Sequence, residues 1–383
     1  MRDLRDLGNS DYKSLQVPPS LTYDQANLIN GFRVLMSRLA YLTRFYIVES
    51  ITGIGNPEAT YNEILKLPAE GNQLASTVPG FTGDFAPVTI AYLTALQGLI
   101  DGMLSGDEAK ADESIRQLYA ISDENAKYLA QLSPYWDEDT WRELFYSYNQ
   151  ELVAEVIAIQ TGDYNKALDI FERLMIMALR RGDYYAEGLI HFLPEDEQQI
   201  PITYFNMITD FRKIRTEWAY LTRFYIVARI VGLGDEGYVT ERLYALVRRM
   251  KDKFELILGN EIAEELLNLL SIYVIMVEEL INAILSDDQD RIQAQRDALY
   301  QFSDRLSAYL GSVNPYWDEA KWKELFDRSV ELIIKQSLEF QRKDYVAAME
   351  TFQDFLYNSL AIGDYFALGL YQYTLINGNN PIF

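Results

Sequence analysis

The side chains in this sequence best suited to chemistry are arginines and carboxylates, because there is no cysteine and only one histidine. Arg44 and Arg223 each lie inside the same octapeptide, Tyr-Leu-Thr-Arg-Phe-Tyr-Ile-Val, at 41–48 and again at 220–227. A helix of that composition is apolar nearly all the way round and is expected to be buried. A guanidinium carried inside needs an anionic partner. Asp183 and Asp364, in Gly-Asp-Tyr triplets among small or apolar residues, are the expected partners. The expected buried ion pairs are therefore Arg44–Asp183 and Arg223–Asp364, each fixing helix register. The other use of such arginines, anion binding or catalysis, stays open at this point.

Two aromatic clusters come next. Trp136 and Trp141 follow one Pro-Tyr turn, and Trp317 and Trp322 follow another. Small-molecule pockets are aromatic and lie between bundle helices, so Tyr92, Trp141, Tyr148, Tyr273 and Trp322 are candidate pocket residues. The same tryptophans serve equally as packing where a helix begins. Glu151 and Glu155 are four apart on one helical face, as a di-metal site wants, but Glu331 and Glu339 fall out of that register. No Glu-x-x-His pair exists either. No metal, no cofactor and no catalytic residue is expected, and His191 reads as a lone side chain rather than a ligand.

The elements that hold these groups are helical. Phe32, Leu35, Met36, Leu39, Thr43 and Tyr46 recur at three- and four-residue steps. The stretches 107–132, 137–159 and 163–188 read the same way. Gly106 and Gly162 suit left-handed helix ends, and Asp107, Asp137 and Asp163 suit the caps of the helices that follow. Connections this short place successive helices antiparallel. Lys343 stands where Gly162 would recur, so that turn should be less comfortable. Alternating strand patterns are missing.

The 383 residues suggest two domains, and the internal matches say which. Besides the octapeptide, Pro-Tyr-Trp-Asp-Glu recurs at 134–138 and 315–319, and Gly-Asp-Tyr at 182–184 and 363–365. The offset is 179 at the octapeptide and 181 at the later motifs. The expected fold is all-α, a tandem duplication of an antiparallel helical bundle. Its parts are an arm at 1–17, copy one at 18–193, a linker at 194–201, copy two at 202–376 and a tail at 377–383.

At these motifs the chain resembles, twice in tandem, a poorly characterised family of small helical-bundle proteins from Gram-positive, often spore-forming, bacteria. That family's pattern reads roughly E-x-H-x-x-W-T-R, E-H-L-x-I-A, N-P-Y-W-x-x-x-x-W-x-x-x-L-x-x-H, G-D-Y and M-A-D. Thr43-Arg44, Thr222-Arg223, Pro134-Tyr-Trp136, Pro315-Tyr-Trp317, Asp183 and Asp364 match it. The resemblance covers nearly everything outside the terminal arms and implies a helical bundle while saying little about activity. Its three histidines fall on Leu39, Tyr92 and Tyr148 in the first copy, and on Trp218, Tyr273 and Ser329 in the second. Any histidine-based metal chemistry of relatives is therefore expected to be missing here. No phosphate-cradling glycine loop is visible.

A net charge of −23 opposes binding to nucleic acid or to anionic lipid. The longest apolar stretches, 85–104 and 266–285, carry Gln97 and Asp101 or Glu278 and Glu279. They read as core helices, and no membrane span is expected. No signal peptide is visible, which suggests the cytoplasm, or a cell or spore surface reached without one. The expected function is a non-enzymatic structural or assembly protein whose partner is itself or another protein. Its tail Pro381-Ile382-Phe383 echoes Pro201-Ile202 and suggests head-to-tail self-association. The alternative is a small-molecule-binding bundle with an aromatic, arginine-lined pocket. The 28 tyrosines suit either.

Overall fold

The computed structural model describes residues 20–194 and 199–377. The expected arm at 1–17 and the tail residues Pro381, Ile382 and Phe383 lie outside them. The described chain is all-α. Its first half runs β1 (Ser20–Thr22), α1 (Tyr23–Thr52), α2 (Pro57–Ile64), α3 (Leu67–Ala75), α4 (Ala86–Leu104), α5 (Glu108–Leu132), α6 (Glu138–Gln160) and α7 (Tyr164–Ile190). The second runs β2 (Gln199–Pro201), α8 (Ile202–Val231), α9 (Glu236–Leu258), α10 (Asn260–Leu285), α11 (Gln289–Val313), α12 (Glu319–Gln341) and α13 (Tyr345–Asn377).

Local chemistry sets the helix ends. Asp107, Asp137 and Asp163 accept hydrogen bonds from backbone N–H groups in the first turns of α5, α6 and α7. These satisfy donors that the helix itself leaves free. Gly106 and Gly162 take φ of 69° and 76°, as their positions require. Lys343 keeps the same turn with φ 61°, at a cost of about 1 kcal/mol that a glycine would not carry. The halves differ between the first and fourth helices. Pro57 and Pro68 open α2 and α3, and the residue before a proline resists helix. The matching stretch of the second half has no proline and forms the continuous α9.

In each half the helices pack in a chain. α1 lies along α7, α7 along α6, α6 along α5 and α5 along α4; α8 lies along α13, then α12, α11 and α10 follow. α4 and α10 are long and apolar enough to cross a membrane by length and composition. Each buries one face in its bundle and exposes Gln97 and Asp101, or Glu264 and Glu279, on the other.

The halves meet around an axis like that of a two-fold dimer, because matching positions touch each other. In the β1–β2 ribbon, whose second strand falls within the expected linker and whose first strand falls at the start of the expected copy one, Leu21 pairs with Ile200. Thr209 donates to Asn30 at 3.1 Å, and the rings of Phe45 and Phe224 lie 5.5 Å apart. All three pairs join residues 179 apart in sequence. Exchanged contacts agree: Tyr41 meets Phe352 and Tyr220 meets Phe171, both at 5.4 Å. Such reciprocity is the mark of an isologous interface.

Candidate functional site

The recurring motifs are used in packing. After α5 ends, Trp136 turns inward and its indole N–H donates to the Tyr184 carbonyl at 2.8 Å. It fills a notch that only a glycine leaves open, since a Cβ on Gly188 would stand 1.8 Å from the indole nitrogen. Trp317 repeats this with the Tyr365 carbonyl at 3.2 Å and Gly369 beneath it. The Tyr184 hydroxyl accepts from the Asp137 backbone N–H at 2.7 Å, and Tyr365 accepts from Asp318 at 2.6 Å, so the Gly-Asp-Tyr triplet helps tie α7 to the start of α6, and α13 to that of α12.

Four of the five expected pocket residues are buried in the core, and Tyr92 is half-buried against it. Trp141 and Trp322 have no exposed surface and stack on Phe145 and Phe326. Tyr148 is buried against the guanidinium of Arg181, 3.9 Å from the ring centre. The Tyr92 hydroxyl lies 3.3 Å from that of Thr43. Tyr273 stacks on Trp218, and burial pushes its phenol up to about 12. None of these five lines the cleft that opens between the halves. Four of the six positions matched to the histidines of the resembled pattern hold rings, while the other two are Leu39 and Ser329, and each half adds a buried arginine beside one of the rings. Arg181 comes from α7 and Arg215, set against Trp218, from α8. Their matching positions are Ile362 and Met36, so neither arginine recurs, and the repeat gives no signal for them.

The expected ion pairs form with other partners. Arg44 and Arg223 are buried, but Asp183 pairs with Arg33 and Asp364 with Arg212. The reason is the level at which the helices cross. Gly182 presses on the backbone of Phe32 and Arg33, where a Cβ would come within 3.0 Å of it. That sets Asp183 beside Arg33, eleven residues before Arg44, or about 16 Å along a helix. The repeat did carry the signal: Phe32-Arg33 recurs as Phe211-Arg212.

Arg44 and Arg223 flank the axis between the halves. Arg44 donates to Glu155 of α6 at 2.6 Å and to the Ala167 carbonyl at 3.2 Å, with its guanidinium 4.8 Å from the Phe224 ring of the other half. Arg223 donates to Gln336 at 2.9 Å and to the Ala348 carbonyl at 3.0 Å, 5.0 Å from the ring of Phe45. Burial pushes the Glu155 carboxyl up, and Arg44 pulls it back. Burial lowers Arg223 to about 10, against the pull of Glu49 and Glu339.

Beside this pair a narrow cleft opens between the halves. Its walls are Phe45, Val48, Ile54, Phe224, Val227, Leu233 and Phe340, and its charged lining is Arg44, Glu49 and Asp235. Glu49 is buried and accepts from the Thr60 hydroxyl at 2.6 Å; burial pushes it up to about 7, with Thr60, Arg223 and the Asn56 backbone opposing. Asp235 stands at the cap position of α9 but caps nothing with its side chain. Its Oδ1 is buried without a hydrogen-bond partner, and burial raises its carboxyl while Arg44 opposes.

No protein-family model, curated protein or solved structure matches this chain.

What remains is the chemistry the residues allow. Among the described residues no group of His, Asp or Glu is placed to hold a metal ion. Glu151 is taken up by a two-pronged contact with Arg173 at 2.8 and 3.0 Å, and Glu155 by Arg44. His191 is exposed and stacks on Tyr135, with ring centres 4.3 Å apart. The cleft between the halves is a place where a buried carboxylate lacks a hydrogen-bond partner beside free space.

Proposed function

We propose that this chain is a non-enzymatic structural or assembly protein, a duplicated helical unit whose copies are joined as a fused dimer and which associates head to tail through its terminal arms. The observation that carries this reading is the use of the motif residues. The tryptophans, glycines, tyrosines and aspartates that recur between the halves are committed to helix packing. Such a design rewards shape and rigidity rather than turnover.

The exposed end of α13 supports the assembly part. Leu375 and Ile376 are 65% and 72% exposed at the point where the chain passes into the tail. β2, which follows α7, covers β1 in the same chain. A tail following α13 has the matching place in chain order, with a neighbouring molecule to cover. Contacts of that kind do not close on themselves and grow into chains of subunits. The −23 charge opposes association, so the contact must bury enough apolar surface to overcome it. Light scattering with negative-stain microscopy tests the reading. The full chain is expected to form particles larger than 44.3 kDa that grow with concentration, and deleting 377–383 is expected to reduce them. A monomer at every concentration, or unchanged particles after deletion, would overturn it.

A further inference from the structure

We propose that the cleft between the halves binds a small organic ammonium ion, an alkyl primary amine of a few carbons, with its –NH3+ group on Asp235 and Glu49 and its chain along the apolar wall. Charge balance points to a cation. At this contact two guanidiniums, Arg44 and Arg223, stand against three buried carboxylates, Glu155, Glu49 and Asp235. Above about pH 7, where Glu49 is ionised, one negative charge is left over at this contact. The hydrogen-bond inventory points to a donor. Asp235 is 5% exposed, and its Oδ1 accepts nothing, although an unmet buried acceptor is costly. Burial pushes Glu49 up to about 7 even with Arg223 opposing, so a further positive charge beside it would be favoured.

Size selects the head group. The cleft is partly open to solvent, and its sheltered space is about 20 Å³, above the roughly 10–15 Å³ that one water needs. An ammonium head is about as large as a water molecule; a planar guanidinium is larger, and the faces of Phe45 and Phe224 already carry Arg223 and Arg44. Val48, Ile54, Val227 and Leu233 supply a surface for methylene groups, which favours an alkylammonium over the bare ion.

Calorimetric titration of the full chain with n-butylammonium chloride at pH 8 tests this, with n-butanol and sodium butyrate as controls. Saturable one-to-one binding of the amine alone is expected, at least tenfold weaker in Asp235→Asn and in Glu49→Gln. The proposal is overturned if the folded chain gives no saturable binding. It is equally overturned if butanol binds as tightly, which would mean an apolar cleft only, or if both folded variants keep the parent affinity. Should Asp235→Asn fail to fold, Glu49→Gln decides, since it is near-isosteric and relieves a carboxyl that burial already holds up to about 7. Binding heat is read at a fixed protein concentration and is separate from the particle size on which the assembly reading rests.

Discussion

Arg44 and Arg223 occupy matching positions, lie over matching phenylalanines across the same axis, and each donates to a matching backbone carbonyl. Their side-chain acceptors differ. Arg44 meets the carboxylate of Glu155, and Arg223 meets the amide of Gln336. The charge that Gln336 lacks has reappeared elsewhere, since the largest influence opposing the burial of Arg223 is Glu49, from α1 of the other half. Geometry is therefore kept locally while charge balance is kept across the interface. An acceptor must sit at the guanidinium, because an unmet buried donor is costly. A counter-charge need only lie nearby in the same low-dielectric region.

Removing the acceptors separates these two requirements. Glu155→Ala leaves a buried guanidinium without its ion pair and is expected to destabilise the chain by about 3–5 kcal/mol. Gln336→Ala removes a neutral acceptor and is expected to cost about 1–3 kcal/mol. Urea unfolding at pH 7 measures both. Equal losses would mean that the carboxylate adds nothing beyond its hydrogen bond. A smaller loss for Glu155→Gln, which gives the first half the second half's acceptor, would sharpen the point.

The counter-charge has its own signature in pH. Glu49 titrates near 7 in the folded chain against an ordinary value of 4.5. Below about pH 4.5 it is protonated both folded and unfolded, and it costs nothing. As pH rises to 7 the unfolded chain releases the proton first, so stability falls; above 7 the loss is complete. Glu49→Gln should therefore be more stable than the parent above pH 7, by roughly 3 kcal/mol at most. The gain should vanish below about pH 4.5. A gain that is independent of pH, or a loss at pH 8, would show that Arg223 needs the Glu49 charge more than the fold needs relief from it.

How much of this was legible depended on the range of the physics. The caps at Asp107, Asp137 and Asp163, the left-handed glycines and the helices between them follow from neighbours a few residues away, and reading the chain found them. The matched motifs identified two like halves, but likeness carries no direction. Nothing in the sequence says that Leu21 meets Ile200, or Phe45 meets Phe224, rather than some other face. The arginine partners were misread for the same reason. Asp183 recurs beside a glycine, and the consequence of that glycine is a crossing level set by the backbone of α1 at Arg33. Glu155 was noticed for its spacing from Glu151 and not for its depth. Arg181 and Arg215 were invisible to the repeat because each exists in only one half.

The peripheral pairs give the smallest and cleanest form of the comparison. Asp183 and Arg33 are 14% and 20% exposed, whereas Asp364 and Arg212 are 41% and 31% exposed. The partners are alike and hold matching helices together, though Arg212 grips Asp364 with two nitrogens and Arg33 reaches Asp183 with one, so the test sets shelter from solvent against a two-pronged contact. Screening by water reduces an exposed pair to a few tenths of a kcal/mol, while a sheltered one keeps about 1 kcal/mol. Asp183→Asn should thus lower stability more than Asp364→Asn, and added salt should narrow the gap only slightly, because the sheltered pair is screened least. Unfolding of both variants in 0.05 and 0.5 M salt reads this directly. Equal losses would mean that the hydrogen bond, which asparagine partly keeps, matters in both halves and the charge in neither.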